Sequence, residues 1–148
     1  MAGWQIKDAC RQQLEQLEEL ERCCFSLPWT REMLESQLPG PMHIFLVAED
    51  ADGTILGYVG MMHVLDEGYI SNVAVRPEAR RQGVADALIR ELLHRSEALA
   101  LRFVTLEVRA HNEPAQALYR KHGFAPVGLR PKYYEAPVED AVLMTKYL

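Results

Sequence analysis

Cysteine is scarce in this chain, with three in 148 residues, and the three are poorly placed for a disulfide framework. Cys23 and Cys24 are adjacent and unsuited to pairing with each other, and an odd count leaves one thiol over in any case. A disulfide-stapled secreted scaffold is therefore not expected, and reduced thiols in a cytoplasm are. Zinc-type spacing is missing too, and the five histidines are scattered, so no metal is expected. No apolar run approaches the roughly 18 residues of a membrane span, and no basic-then-apolar segment suggests a secretion signal. A basic excess is also lacking: 16 Lys and Arg stand against 21 Asp and Glu, a formal net charge of −5. Neither nucleic acid nor a membrane is the expected partner, and an acidic chain suits a cationic one better. Internal repeats, low-complexity segments, the G-x-x-x-x-G-K-[ST] loop and the three-glycine dinucleotide fingerprint are all absent.

What is present is a globular composition, 49% hydrophobic and 25% charged. The length predicts one domain over residues 1–148 with a real core. A monomer is the expected state.

Hydrophobic periodicity sets the elements. Trp4–Lys7 reads as a short strand. Asp8 is placed to cap a helix turning Leu14, Leu17, Leu20 and Cys24 inward and Glu15, Glu18, Glu19 and Glu21 outward. Thr30 caps a second helix to about Leu38, which Pro39-Gly40-Pro41 stops. His43–Glu49 and Ile55–Leu65 are strands around the Asp52-Gly53 turn, and Glu67-Gly68 turns the chain into Tyr69–Val75. A Val84–Leu99 helix and a Phe103–Val108 strand follow. Asn112 then opens a helix, with Pro114 in its first turn and Gly123 just past its end. Phe124–Leu129 and Ala141–Tyr147 are the last strands. The expected class is α/β: a mixed, mostly antiparallel sheet of about seven strands with about four helices and one right-handed parallel crossover at its centre.

Val73–Ala98 is the most telling stretch. The apolar strand Ile70–Val75 ends at Arg76-Pro77, and Arg80-Arg81-Gln82-Gly83-Val84-Ala85 then runs straight into a helix. A helix start leaves backbone N–H groups without partners and carries about half a positive charge. Gly83 allows close approach of the backbone, and small Ala85 leaves room beside it. The junction is a seat for phosphate, or else an ordinary structural turn.

The turn resembles the R/Q-x-x-G-x-G/A acyl-CoA pyrophosphate loop of the GCN5-related N-acetyltransferases, here Arg80-x-x-Gly83-x-Ala85 with Ala at the last glycine position. Leu106-Glu107-Val108-Arg109-x-x-Asn112 and Ala117-Leu118-Tyr119-x-x-x-Gly123-Phe124 extend the resemblance over nearly the whole chain. Phe25–Trp29, Ile70–Val75, Leu106–Asn112 and Arg130-x-x-Tyr133-Tyr134 through Glu139-Asp140-Ala141 narrow it further. These segments resemble the bacterial enzymes that acetylate the N-terminal alanine of ribosomal protein S18.

The resemblance implies the acetyltransferase fold, acetyl-CoA as donor, and a protein N-terminal α-amine, most specifically that of S18, as acceptor. It implies direct attack in a ternary complex, with no covalent acyl-enzyme. Cofactor contacts are implied at Arg80, Arg81, Gln82, Gly83, Val84, Ala85, Asp86 and Asn112. They are implied also along Val73, Ala74 and Val75, where a backbone N–H faces the thioester carbonyl. Tyr133, Tyr134, Glu139 and Asp140 fall on the implied peptide side. Trp29 is a candidate lining of the acceptor groove or else a hydrophobic plug between helices, and Asp66 and Glu67 are candidate acidic flanks for a basic peptide. Alternative readings are the same transfer to a lysine side chain or small-molecule amine, or a non-catalytic acyl-CoA-binding module.

Glu107 is the candidate base. A parallel strand in a covered sheet reads as nearly continuous apolar, and Glu107 interrupts one. A carboxylate buried there is costly unless paired, and Arg109, two residues on, is a possible partner. A Glu near ~4.3 taking a proton from an α-ammonium near ~7.8 faces about 3.5 pK units, roughly 5 kcal/mol, which desolvation of both groups narrows. Tyr119 is the candidate acid: at ~10 against a thiol near ~8.5, the transfer is uphill by only about 2 kcal/mol. Its competing role is packing beside Ala115 and Leu118.

Overall fold

Seven strands and four α-helices form among the described residues, 3–38 and 40–148, of this computed structural model. Of the predicted Pro39-Gly40-Pro41 stop, Pro39 lies outside the described residues. β1 (Trp4–Asp8), β2 (His43–Asp50), β3 (Ile55–Val64) and β4 (Glu67–Val75) make an antiparallel meander. β5 (Phe103–Arg109), β6 (Ala125–Tyr134) and β7 (Glu139–Tyr147) complete one sheet of order β1-β2-β3-β4-β5-β7-β6. Only β4 and β5 run parallel, because α3 (Val84–Ala98) carries the chain back between them.

Both faces of the sheet are covered. On one, Leu88, Ile89 and Leu92 of α3 are fully buried against Leu46, Val59, Met61, Val104 and Leu106. Tyr119 of α4 (Glu113–Lys121) joins the same cluster. On the other, Leu14, Leu17 and Leu20 of α1 (Leu14–Cys24) and Leu34 of α2 (Arg31–Ser36) meet Phe45, Val47, Tyr58 and Ala74. Each such side chain contributes about 1.5–3 kcal/mol of burial.

The helix starts use the expected caps: Thr30 Oγ1 accepts from the Met33 N–H at 3.2 Å, and Asn112 Oδ1 from the Ala115 N–H at 3.2 Å. Four sequence expectations need correction. Asp8 does not cap a helix; it ends β1 and binds Arg95 at 2.8 Å, and a single 3-10 turn at Arg11–Gln13 leads into α1. The β3–β4 turn is Leu65-Asp66, with Leu65 left-handed at φ 54°. Gly68 sits inside β4 because a Cβ there would come within 3.0 Å of Met61 Sδ and 3.1 Å of Leu101. α2 stops at Ser36, whose hydroxyl turns back to the Met33 carbonyl at 2.6 Å. β6 runs on to Tyr134, so Tyr133 and Tyr134 belong to a strand end that pairs with Glu139.

One feature of the topology shapes the site. Parallel pairing of β4 with β5 is confined to Glu67, Gly68 and Tyr69 opposite Phe103, Val104 and Thr105. Further along, β4 pairs only with β3 and β5 only with β7. A bulge in β4 at Ser71, between the Met61–Ile70 and Gly60–Asn72 pairs, adds twist at this point. The facing backbone edges of Ile70–Val75 and Leu106–Arg109 are left without a neighbouring strand.

Candidate active site

A cleft of about 780 Å³ opens where β4 and β5 lose each other. Glu107, Tyr119, Asn112, Val73, Trp29, Tyr133 and Tyr134 line it together, drawn from two strands, a helix, the α1–α2 loop and the end of β6. Strand alternation explains the layout. Val104, Leu106 and Val108 turn into the α3 side of the sheet, so Glu107 and Arg109 emerge on the α1 side.

Glu107 is 5% exposed at its side chain and is held from two directions. The Tyr69 hydroxyl donates to Oε1, and Arg130 Nε binds Oε2 at 3.0 Å. The pairing with Arg109 weighed from sequence is not formed. Arg109 instead contacts Glu139 at 3.1 Å, donates to the Glu135 and Pro137 carbonyls at 3.0 Å, and lies 4.5 Å from the Tyr134 ring centre. It thereby ties down the chain between β6 and β7, one wall of the cleft. Burial pushes the Tyr134 phenol up to about 12, with the Tyr133 and Glu107 charges adding to it.

Tyr119 packs edge-on against Phe124, with centroids 5.9 Å apart, yet borders the cleft from the α3 side of the sheet. Burial, and secondarily Tyr134, drives its phenol well above the ordinary tyrosine range. The hydroxyl is therefore firmly protonated.

Two left-handed residues, Arg81 at φ 65° and Gly83 at φ 80°, shape the turn before α3. The first helical bond runs from the Ala87 N–H to the Gly83 carbonyl at 3.0 Å, so the N–H groups of the first turn have no intrahelical partner. A Cβ on Gly83 would meet nothing within 4 Å, which is the open space an approaching ligand requires. Arg80 donates from Nε to the Val75 carbonyl at 3.1 Å and Gln82 to the Glu78 carbonyl at 3.3 Å, bracing the turn against the end of β4. The Asp86 carboxylate is committed elsewhere: it binds Arg90 at 2.6 Å, Lys121 at 2.8 Å and His122 at 2.9 Å. Its backbone N–H is what remains for a ligand. Ala74 is buried under α1 and Val75 packs against the α3 side, and of the three predicted strand residues only Val73 lines the cleft.

The four acidic candidates are not gathered at the cleft. Asp66 and Glu67 lie at the opposite end of β4, 3.5 and 3.9 Å from Arg102. Glu139 accepts from the His111 N–H at 2.7 Å and from Arg109, contacts that hold its carboxyl below the usual range. Asp140 accepts from the Lys132 N–H at 2.9 Å.

A carboxylate expected on the solvated face of α1 lines the cleft instead. Glu21 is fully buried, accepting from the Trp29 N–H at 2.7 Å and from Asn72 Nδ2 at 3.1 Å. Helical geometry contains the signal: at 100° per residue Glu21 lies about 40° from Leu17, inside the arc from Leu14 to Leu20. The run of acids around it masked that position. Tyr69, half-buried beside Glu107, carried no comparable signal, since its partner is 38 residues away.

Among the described residues no three His, Cys, Asp or Glu side chains gather to hold a metal ion, and no helix is long and apolar enough to cross a membrane.

Known proteins share both sequence and architecture with this chain. The acetyltransferase (GNAT) family model matches residues 14–124. A Haemophilus ducreyi protein named [ribosomal protein bS18]-alanine N-acetyltransferase is 32% identical over 147 residues, 97% of this chain and 99% of that protein. The crystal structure of the ribosomal-protein-S18-alanine N-acetyltransferase from Escherichia coli superposes with a TM-score of 0.90 at 29% identity, over 97% of this chain and 93% of the other. Arabidopsis thaliana NAA60, solved in complex with acetyl-CoA, shares the fold with a TM-score of 0.89 at 23% identity, over 98% of this chain and 99% of the other.

Proposed function

Because this chain belongs to the acetyltransferase (GNAT) family and is an N-acetyltransferase, we propose that it transfers the acetyl group of acetyl-CoA to the N-terminal α-amine of a protein. The acceptor we assign is the N-terminal alanine of ribosomal protein S18, and with it we assign a cytoplasmic enzyme of one catalytic domain. The observation that carries this reading is the cleft at the β4–β5 parting, where Glu107 and Tyr119 enter from opposite faces of the sheet. The names of the Haemophilus and Escherichia relatives support the acceptor.

The donor's thioester supplies an activated acyl carbon; everything else falls to this chain's own residues. The unpaired edge of Ile70–Val75 offers backbone N–H groups to an extended ligand and to a developing oxyanion. The first turn of α3 presents N–H groups and the positive end of the helix to a pyrophosphate. Arg80 and Gln82 brace that turn. Asn112 caps α4 and borders the same cleft.

Glu107 takes the first proton from the arriving α-ammonium, and the second, shed as the nitrogen bonds to the acyl carbon, makes good the one that Tyr119 gives up. Tyr119 gives its proton to sulfur as the carbon–sulfur bond breaks. Burial makes Tyr119 a weaker acid than free tyrosine, and the same desolvation raises the pKa of a thiol leaving into it.

The test is turnover of acetyl-CoA against a panel of N-terminal peptides led by the S18 sequence, read by intact mass. A gain of one acetyl that vanishes when the α-amine is blocked is the expected result. Acetylation that persists on a blocked peptide, at lysine, would overturn the α-amine assignment.

A further inference from the structure

We propose that Glu21 is a second carboxylate of the acceptor groove and receives the positive charge of the arriving α-ammonium. The proposal rests on the α-amine acceptor reading above.

Three observations meet at this residue. First, Glu21 is fully buried and borders the cleft, where its two contacts, the Trp29 N–H and Asn72 Nδ2, are both neutral. Second, the other sheltered carboxylates each face a cation: Glu107 has Arg130, Asp86 has Lys121, and Glu139 has Arg109. Glu21 makes no ion pair among the described residues. A charged group left so in a dry site is costly, and a visiting cation is what relieves the cost. Third, α1 packs on the face of the sheet from which Glu107 emerges, so the two carboxylates border one groove on one side. An α-amine reaches neutral solution mostly protonated, with a reference pKa near ~7.8. Glu21 is suited to attract that form, and Glu107 to discharge it.

Burial pushes the Glu21 carboxyl above the ordinary glutamate range, against the pull of its two hydrogen bonds. A cation beside it would favour its charged form.

A purely mechanical role competes with this. Glu21 also joins the α1–α2 loop to β4, and Asn72 Nδ2 continues the chain of contacts to the Tyr58 hydroxyl at 3.3 Å. Glu21→Gln separates the two roles. With the Asn72 amide turned over, Gln accepts from Trp29 and donates to Asn72 Oδ1, which keeps the joint and removes the charge.

The readout pairs the S18 N-terminal peptide with its desamino analogue, which lacks the α-amine and acts as a competitive inhibitor. In Glu21→Gln the KM for the peptide should rise about tenfold or more. The inhibition constant of the desamino analogue and the KM for acetyl-CoA should match wild type, and so should the melting temperature. Glu21→Asp, shorter but charged, should keep preferring the amine peptide over the analogue. A Gln protein with wild-type peptide KM assigns Glu21 to the joint alone and overturns the proposal. If the Gln protein does not fold, the wild type decides: equal affinity for the peptide and its desamino analogue, with no preference for the charged amine, overturns the proposal too. A wild-type enzyme that acetylates no α-amine removes the acceptor reading itself, and this arm exposes that failure separately.

Discussion

Glu107 Oε1 and Oε2 are each already engaged, by Tyr69 and by Arg130, so the carboxylate is oriented before any substrate arrives. Arg130 is largely exposed and can yield to an incoming amine, whereas half-buried Tyr69 keeps its grip. Replacing Glu107 with Gln preserves the shape and removes the basicity. Single-turnover transfer should then slow by roughly 10²-fold or more while acetyl-CoA binding stays near wild type. The loss should shrink at high pH, where more of the amine is already free; an unchanged rate at neutral pH would remove Glu107 from the base role. Tyr119→Phe deletes one hydroxyl and leaves the ring against Phe124, so melting should be unaffected and turnover reduced. Undiminished turnover would make Tyr119 a packing residue and solvent the proton source.

At the scale of elements, the N-terminus of α3 does two jobs. Its first-turn backbone N–H groups are open to a ligand, while Asp86 reaches sideways to Lys121 and His122 at the end of α4. The Lys121 ammonium, with His122 second among the stabilising contacts, holds the Asp86 carboxyl below the ordinary aspartate range. A folded pKa below the unfolded value of ~3.9 means that this pair stabilises fully above about pH 4 and is lost as pH falls through the lowered value. Asp86→Asn should therefore melt below wild type at neutral pH, with the gap closing in acid. Gly83→Val forces a β-branched residue into a φ of 80° and fills the open space before the helix. Thermal protection by acetyl-CoA should weaken in that protein; full protection would mean that the turn is not the pyrophosphate seat.

These elements were largely legible in the sequence because each carries a local signal: Thr30 and Asn112 as caps, the α3 stripe, the apolar run of β5. The sequence points to a turn at Glu67-Gly68 instead of Leu65-Asp66 because glycine usually marks a turn, and here it marks a crowded strand. The pairing of Glu107 with Arg130 rather than Arg109, and of Glu139 with Arg109, was not legible. Both depend on how far β6 extends, and β6 is exposed along nearly all its length, without a buried stripe to announce it.

For the whole molecule, acetyl-CoA should raise the melting temperature in proportion to the logarithm of its concentration above Kd, as for any ligand of the folded state alone. The seam between β4 and β5 gives that stabilisation a direction. Three residue pairs are the whole parallel contact between the half of the sheet carrying β1 to β4 and the half carrying β5 to β7. A donor lying along the open edges would splint one half to the other. The cleft draws its walls from both halves, Glu21 and Trp29 from one and Glu107 and Tyr134 from the other. Whichever substrate binds first would thus meet the ordering cost for the second, and thermodynamic linkage requires that benefit to be equal in both directions. Calorimetry with a non-transferable donor analogue should find peptide affinity enhanced by the donor, and donor affinity enhanced by the peptide by the same factor. Independent binding would show that the seam is already rigid without either substrate.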